Sequence, residues 1–225
     1  MVLTLTTLDW GGRVLPGLVA DGLVAAAAAT TAYWQAEVFA VVWAAGILPI
    51  LFHLLTHPAL LRRRVRGGLL AEPESSQKLI ASLLVLCVLA LFAVSVLDLL
   101  SGWSHVPIPV VLVGDVLVAG GLVLLNAVFR VNEFAAATVQ VEPEQTVIST
   151  GPYALVRHPM YSAGLLMFLG APVALGSWWG LVLFPPVLLL IILRLLDEER
   201  YLSTHLQGYR NYCAKVTHRL IPSIW

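Results

Sequence analysis

Met160 to Leu196 reads MYSAGLLMFLGAPVALGSWWGLVLFPPVLLLIILRLL. A helix needs about 20 apolar residues to cross about 30 Å of hydrocarbon. Residues 160–178 and 180–196 are each just long enough, and almost nothing separates them. They predict a helical hairpin with Gly176, Ser177 and Gly180 at the bend, and with arms kinked at Pro172 and at Pro185-Pro186. Just upstream, Ser149 to Tyr161 reads STGPYALVRHPMY, which places a turn, a cation, an imidazole and two phenols in one short stretch. Just downstream, Arg194 to Arg200 reads RLLDEER. A polar anchor on each side of an apolar hairpin implies a pocket at a membrane surface. Such a pocket takes a polar ligand from water and an apolar one from lipid.

The composition agrees. Of 225 residues, 59% are hydrophobic and 12% charged, with mean hydropathy +0.88, whereas soluble domains run at about 45–50% and about 25%. This composition is that of an integral membrane protein. Zero net charge removes any global electrostatic case for nucleic acid. Two cysteines, Cys87 and Cys213, are too few for a disulfide framework or a zinc cluster. The first residues lack a signal-peptide pattern, and the C-terminal PSIW is no lipidation signal. Residues 38–55, 79–100 and 108–129 meet the spanning test, and residues 14–34 are a weaker case carrying Pro16, Gly17 and Asp21. The expected fold is all-α: one membrane domain of five to six transmembrane helices. Residues 1–131 supply the N-terminal spans, and residues 132–225 the hairpin and its polar flanks. Arg62, Arg63, Arg64, Arg66 and Lys78 lie in one loop, while the loop after Leu100 has no Lys or Arg. The positive-inside tendency puts the first loop in the cytoplasm, and with it residues 130–160 and the C-terminus. Both polar motifs then lie on one face. Residues 198–216 mix charge with Tyr201, Leu202, Leu206, Tyr209, Tyr212 and Cys213 near helical spacing, which predicts an amphipathic helix continuing out of the membrane until Pro222.

Gly151-Pro152 makes a turn, and Tyr153, Arg157 and His158 follow. Pro159 suits the first position of the next helix, with Tyr161 in its first turn. The free N–H groups of a helix N-terminus and the fork of Arg157 both suit a carboxylate or phosphate. The plainer alternative is a snorkelling arginine and an interfacial tyrosine belt. Arg194 interrupts an apolar run, with Glu198 four residues on along the same helical face and Glu199 about 100° further round. Charged residues at membrane depth are costly and face the protein interior; the plainer alternative is a helix-end ion pair. Asn132 either hydrogen-bonds a ligand or caps a helix end. Asp115 and Asn126 lie inside a span, and Asp115 suits a wet or helix-packing role. His53 and His57 are spaced to share a metal, but no third ligand is near, so no metal site is expected.

Taken together, GPYALVRHPMY, the apolar hairpin, RLLDEERYL and GYRNYC resemble the isoprenylcysteine carboxyl methyltransferase family, which is related to the membrane phospholipid N-methyltransferases. The resemblance covers residues 132–225, and the chain lacks the extra N-terminal spans of eukaryotic members. It implies a methyltransferase dependent on S-adenosyl-L-methionine, with a cytoplasm-facing cofactor pocket under the C-terminal helix. It also implies a lipophilic substrate entering sideways from membrane lipids. Matched by motif, Tyr153, Arg157, His158, Pro159 and Tyr161 would bind the cofactor. Arg194 and Glu199 would act on the substrate, Glu198 would serve both tasks, and Asn132 would be a further substrate contact. A carboxylate nucleophile needs no base and would be oriented by Arg194, whereas an amine would pass its proton to Glu198 or Glu199. Two other readings stand beside this one: an NADPH-dependent membrane reductase gripping phosphate through Arg157, and a non-enzymatic lipid-binding or assembly protein.

Overall fold

The computed structural model describes residues 33–66, 75–135, 141 and 144–225. Nearly all of the weak span expected over residues 14–34 lies outside them, as does part of the connector after Ala135. The described elements are α1 (Trp34–Thr56), α2 (Pro58–Arg66), α3 (Ser75–Ser101), α4 (Ile108–Val131), a 3₁₀ turn (Gly151–Ala154), α5 (Pro159–Ala174), α6 (Trp178–Leu181), α7 (Phe184–His205) and α8 (Tyr209–Lys215). Among the described residues the fold is all-helical. α1, α3, α4 and the stretch Trp178–His205 are long and apolar enough to cross a membrane, and α5 is a shorter apolar helix. Val41, Phe52, Leu86, Val116 and Val123 are exposed on the spans, as an apolar solvent around the bundle requires.

α4 and α5 form the most intimate pair in the bundle. Lipid tails are as apolar as leucine, so membrane helices associate through close backbone approach at small residues. A Cβ on Gly114 would stand 2.4 Å from the Ala174 nitrogen, and one on Gly121 would stand 2.8 Å from the Ala163 carbonyl. Along α4 the contacts step backward along α5, so these two helices are antiparallel. α1 runs parallel to α4. Gly46 lies on Leu122, and further along both helices His53 Nε2 meets the Phe129 carbonyl at 3.2 Å. α3 packs on α6 and α7.

The hairpin bend departs from expectation in two respects. α5 ends at Ala174, and Gly176 turns the chain with φ +71°, a conformation glycine adopts freely. Ser177 then caps the short α6, its Oγ accepting from the Gly180 nitrogen at 2.8 Å. Pro185 and Pro186 lie in the first turn of α7 and so start a helix instead of kinking one. The second arm continues through residue 196 to His205 without a break. The expected continuous tail helix is broken at Gly208 (φ +85°), and α8 starts beyond it.

The bend is fastened by Asp98, a residue of α3 that is 1% exposed. Its Oδ2 accepts from Ser177 Oγ at 2.5 Å and from Ser104 Oγ at 2.6 Å. The Tyr33 hydroxyl donates to the Leu175 carbonyl beside it. Charge-assisted hydrogen bonds of this kind offset the cost of burying a carboxylate.

Gly114→Ala should lower the thermal unfolding midpoint in detergent, because overpacking costs about 1–3 kcal/mol. Gly120→Ala, where an added Cβ meets nothing within 4 Å, should leave it unchanged or slightly raised. Equal effects would show that the glycine approach does not hold the pair.

Candidate functional site at the motif end

At the opposite end from the hairpin bend, His158 is the N-cap residue of α5 and Pro159 opens that helix. The backbone of the motif is held by the C-terminal segment. Arg157 N donates to the His218 carbonyl and His158 N to the Arg219 carbonyl, both at 2.9 Å. Ser162 Oγ donates to the Leu220 carbonyl at 2.6 Å. α8 lies against the 3₁₀ turn, where the Tyr212 hydroxyl donates to the Tyr153 carbonyl at 2.7 Å.

Two groups of polar side chains meet on α7. The first surrounds Glu199, whose side chain is 12% exposed. Its Oε1 lies 3.2 Å from Arg157 Nη1 and 3.3 Å from His158 Nε2, and its Oε2 accepts from Arg219 Nε at 2.9 Å. The second surrounds Arg194, which is buried. Arg194 Nη1 donates to Gln77 Oε1 at 3.0 Å, and Gln77 Nε2 donates to Asp197 Oδ2 at 2.5 Å. The Tyr161 hydroxyl donates to Glu198 Oε2 at 2.6 Å and also hydrogen-bonds with Arg194. One turn of α7 therefore serves both groups, because Glu198 and Glu199 point about a quarter-turn apart on a helix.

Every expected site residue lies at this end, and the side chains fall into two sets of contacts. Glu199 joins Arg157 and His158, and Tyr161 joins Arg194 and Glu198. Asn132 follows the end of α4 and donates through Nδ2 to the Tyr153 hydroxyl at 2.7 Å, while its Oδ1 accepts from the Phe134 nitrogen at 2.9 Å. Burial pushes the Tyr153 phenol up to about 12, a rise opposed by the Asn132 hydrogen bond and the Arg64 charge and helped by Glu198. It is a neutral donor at neutral pH. Burial likewise raises the Tyr209 and Tyr212 phenols. Asp115 is buried in α4 with no hydrogen-bond partner on either carboxylate oxygen, so it packs between helices and stands apart from this site. His53 and His57 stack with ring centroids 4.0 Å apart.

Gln77 and Arg219 complete the two groups, and neither was expected from the sequence. Gln77 fell at the end of a loop in the hydropathy pattern; α3 in fact starts at Ser75 and carries it into the bundle. Arg219 was one more cation in a polar tail. Its only sequence signal is the Arg-Leu-Ile-Pro run, which places an apolar anchor after the charge.

Residues 109–208 match the family model for phospholipid methyltransferase. That segment contains Asn132, the Arg157–Tyr161 turn, the hairpin, Arg194 and both glutamates. The match bears out the resemblance to membrane methyltransferases of the isoprenylcysteine carboxyl methyltransferase type, and it supports a membrane methyltransferase. No curated protein matches the chain.

Gln77→Leu removes one partner of a buried guanidinium. Hydrogen bonds to charged groups contribute about 1.5–3 kcal/mol, so the variant should unfold at a measurably lower temperature. An unchanged midpoint would mean that Gln77 does not support Arg194.

Proposed function

We propose that this protein transfers a methyl group from S-adenosyl-L-methionine to a lipophilic carboxylate or amine at the cytoplasmic face of a membrane. The observation that carries the proposal is the meeting of Arg157, His158 and Glu199 within the segment that matches a methyltransferase family. Fit to a polar cofactor is supported by Arg157 Nε, a buried donor without a hydrogen-bond partner. A buried donor of this kind costs about 1–3 kcal/mol when unmade, and a bound acceptor relieves that cost. The cytoplasmic assignment rests on the arginines expected in a loop, which the structure places in helix α2 ahead of α3.

S-adenosylmethionine, when bound, supplies a methyl group already activated on a sulfonium. The protein's task is to align the substrate atom and exclude water. Arg157, His158 and Glu199 form the cofactor side, with Pro159 fixing the turn and Tyr153 as a neutral donor beside them. Arg194, Glu198 and Tyr161 form the substrate side. There Arg194 orients a carboxylate, or Glu198 accepts the proton that an amine must lose before it attacks. Gln77 fixes the guanidinium, and Asn132 sits at the edge of the same region through Tyr153. Membrane lipids deliver the substrate.

Purified protein in lipid nanodiscs should bind S-adenosylhomocysteine in calorimetry and transfer labelled methyl from S-adenosylmethionine into a lipid extract. His158→Ala and Glu199→Gln should each weaken that binding at least about tenfold, the loss expected for about 1.4 kcal/mol. Binding of NADPH with none of S-adenosylhomocysteine would overturn the proposal in favour of a reductase. Binding of neither ligand would favour a non-enzymatic lipid-binding role.

A further inference from the structure

Most polar side chains around α8 and the 3₁₀ turn are satisfied. Tyr212, Tyr161, Tyr153, His158 and Glu199 all have hydrogen-bond partners. Among the described residues, five buried side-chain polar atoms have none: Asp98 Oδ1, both carboxylate oxygens of Asp115, Arg157 Nε and the Tyr209 hydroxyl. The three acceptors belong to the other half of the bundle. The two that can donate are both at the motif end, and they are carried by the two segments that the Tyr212 hydroxyl ties together.

Both residues are closely held. Tyr209 is 4% exposed, and its ring lies 5.9 Å from that of Tyr212, the residue that seats α8 on the turn. The Arg157 side chain is 9% exposed, with Nη1 on Glu199 and Nη2 on the Thr217 carbonyl at 3.2 Å. Its third nitrogen, Nε, is left without a partner. Arg157, Glu198 and Glu199 all act electrostatically on Tyr209.

We infer that Arg157 Nε and the Tyr209 hydroxyl form a two-donor grip for the carboxylate of an amino-acid moiety, so that the ligand is recognised by its amino-acid end as well as by its nucleoside. The inference rests on the proposed methyltransferase function and goes beyond it. Two unmade donors on segments that Tyr212 ties together call for an oxygen anion, because an apolar group leaves both unmade. The neighbouring glutamates select among anions. A phosphate brings uncompensated negative charge toward Glu198 and Glu199, whereas an amino acid brings its own ammonium, which suits them. Tyr209 lies just beyond the family-matched residues 109–208, so that match says nothing of it.

The test is calorimetry on the full chain with two probes: S-adenosylhomocysteine, and methylthioadenosine, which keeps the nucleoside and lacks the amino acid. Tyr209→Phe should weaken S-adenosylhomocysteine about tenfold, as expected for a lost hydrogen bond to a charged group, and leave methylthioadenosine unchanged. Without ligand, Tyr209→Phe should unfold no earlier than the parent chain, since its hydroxyl has no internal partner. Tyr212→Phe, which loses the bond to the turn, should unfold earlier. Unchanged S-adenosylhomocysteine affinity in Tyr209→Phe, or equal weakening of both probes, would overturn the grip while the methyltransferase proposal stood. Failure of the parent chain to bind S-adenosylhomocysteine at all would overturn both.

Discussion

Glu199 receives Arg157 and His158 from the turn before α5, and Arg219 from the C-terminal segment, all on one carboxylate of α7. Ionised groups out of water are costly unless they are paired and their remaining donors and acceptors are met. Here the pairing joins three stretches of chain that are far apart in sequence. Removing the carboxylate would leave cations facing one another in a partly buried place. The backbone bonds from Arg157 and His158 to residues 218 and 219 hold the same segments in register. Side-chain charge and main-chain pairing thus support one arrangement.

The two ends of the hairpin are fastened by the same physics in different settings. At the bend, Asp98 collects Ser177 and Ser104 and receives the chain as it turns back. At the motif end, Glu199 collects cations. Between these points α4 and α5 rely on glycine and alanine, where backbone approaches backbone. The middle of the bundle is therefore held by shape and its ends by charge. This arrangement gathers the charged side chains of the motif end on the last turns of α7.

Local signals in the sequence foretold much of this. The apolar runs gave three spans within a few residues, since hydrocarbon thickness leaves little latitude. Pro159 after His158 marked the start of α5, because a proline without an N–H suits the first turn of a helix best. The same rule, applied to Pro185-Pro186, would have placed a helix start where a kink was expected. The missing cue was Ser177, whose cap makes α6 a separate turn. Gly208 marked a break in the tail, but the aromatic spacing around it suggested continuity. Gln77, Asp98 and Arg219 were not legible, because their partners Arg194, Ser177 and Glu199 are set by tertiary packing, and a polar residue near a span end looks ordinary until that packing is known. The contacts of Tyr161 with Glu198 and of Glu199 with Arg157 and His158 were not legible for a related reason. Helical spacing tells which residues share a face of α7, not which neighbour that face meets.

The proposed chemistry requires that the turn, α7 and α8 surround one ligand. A structure of the protein with S-adenosylhomocysteine bound, in a lipid environment, tests this most directly. Ligand density is expected between the Gly151–Ala154 turn and α8, with polar atoms in hydrogen-bond range of Arg157 or His158 and next to the glutamates of α7. Density at the Asp98 end of the bundle, or on the outer surface away from Glu199, would contradict it.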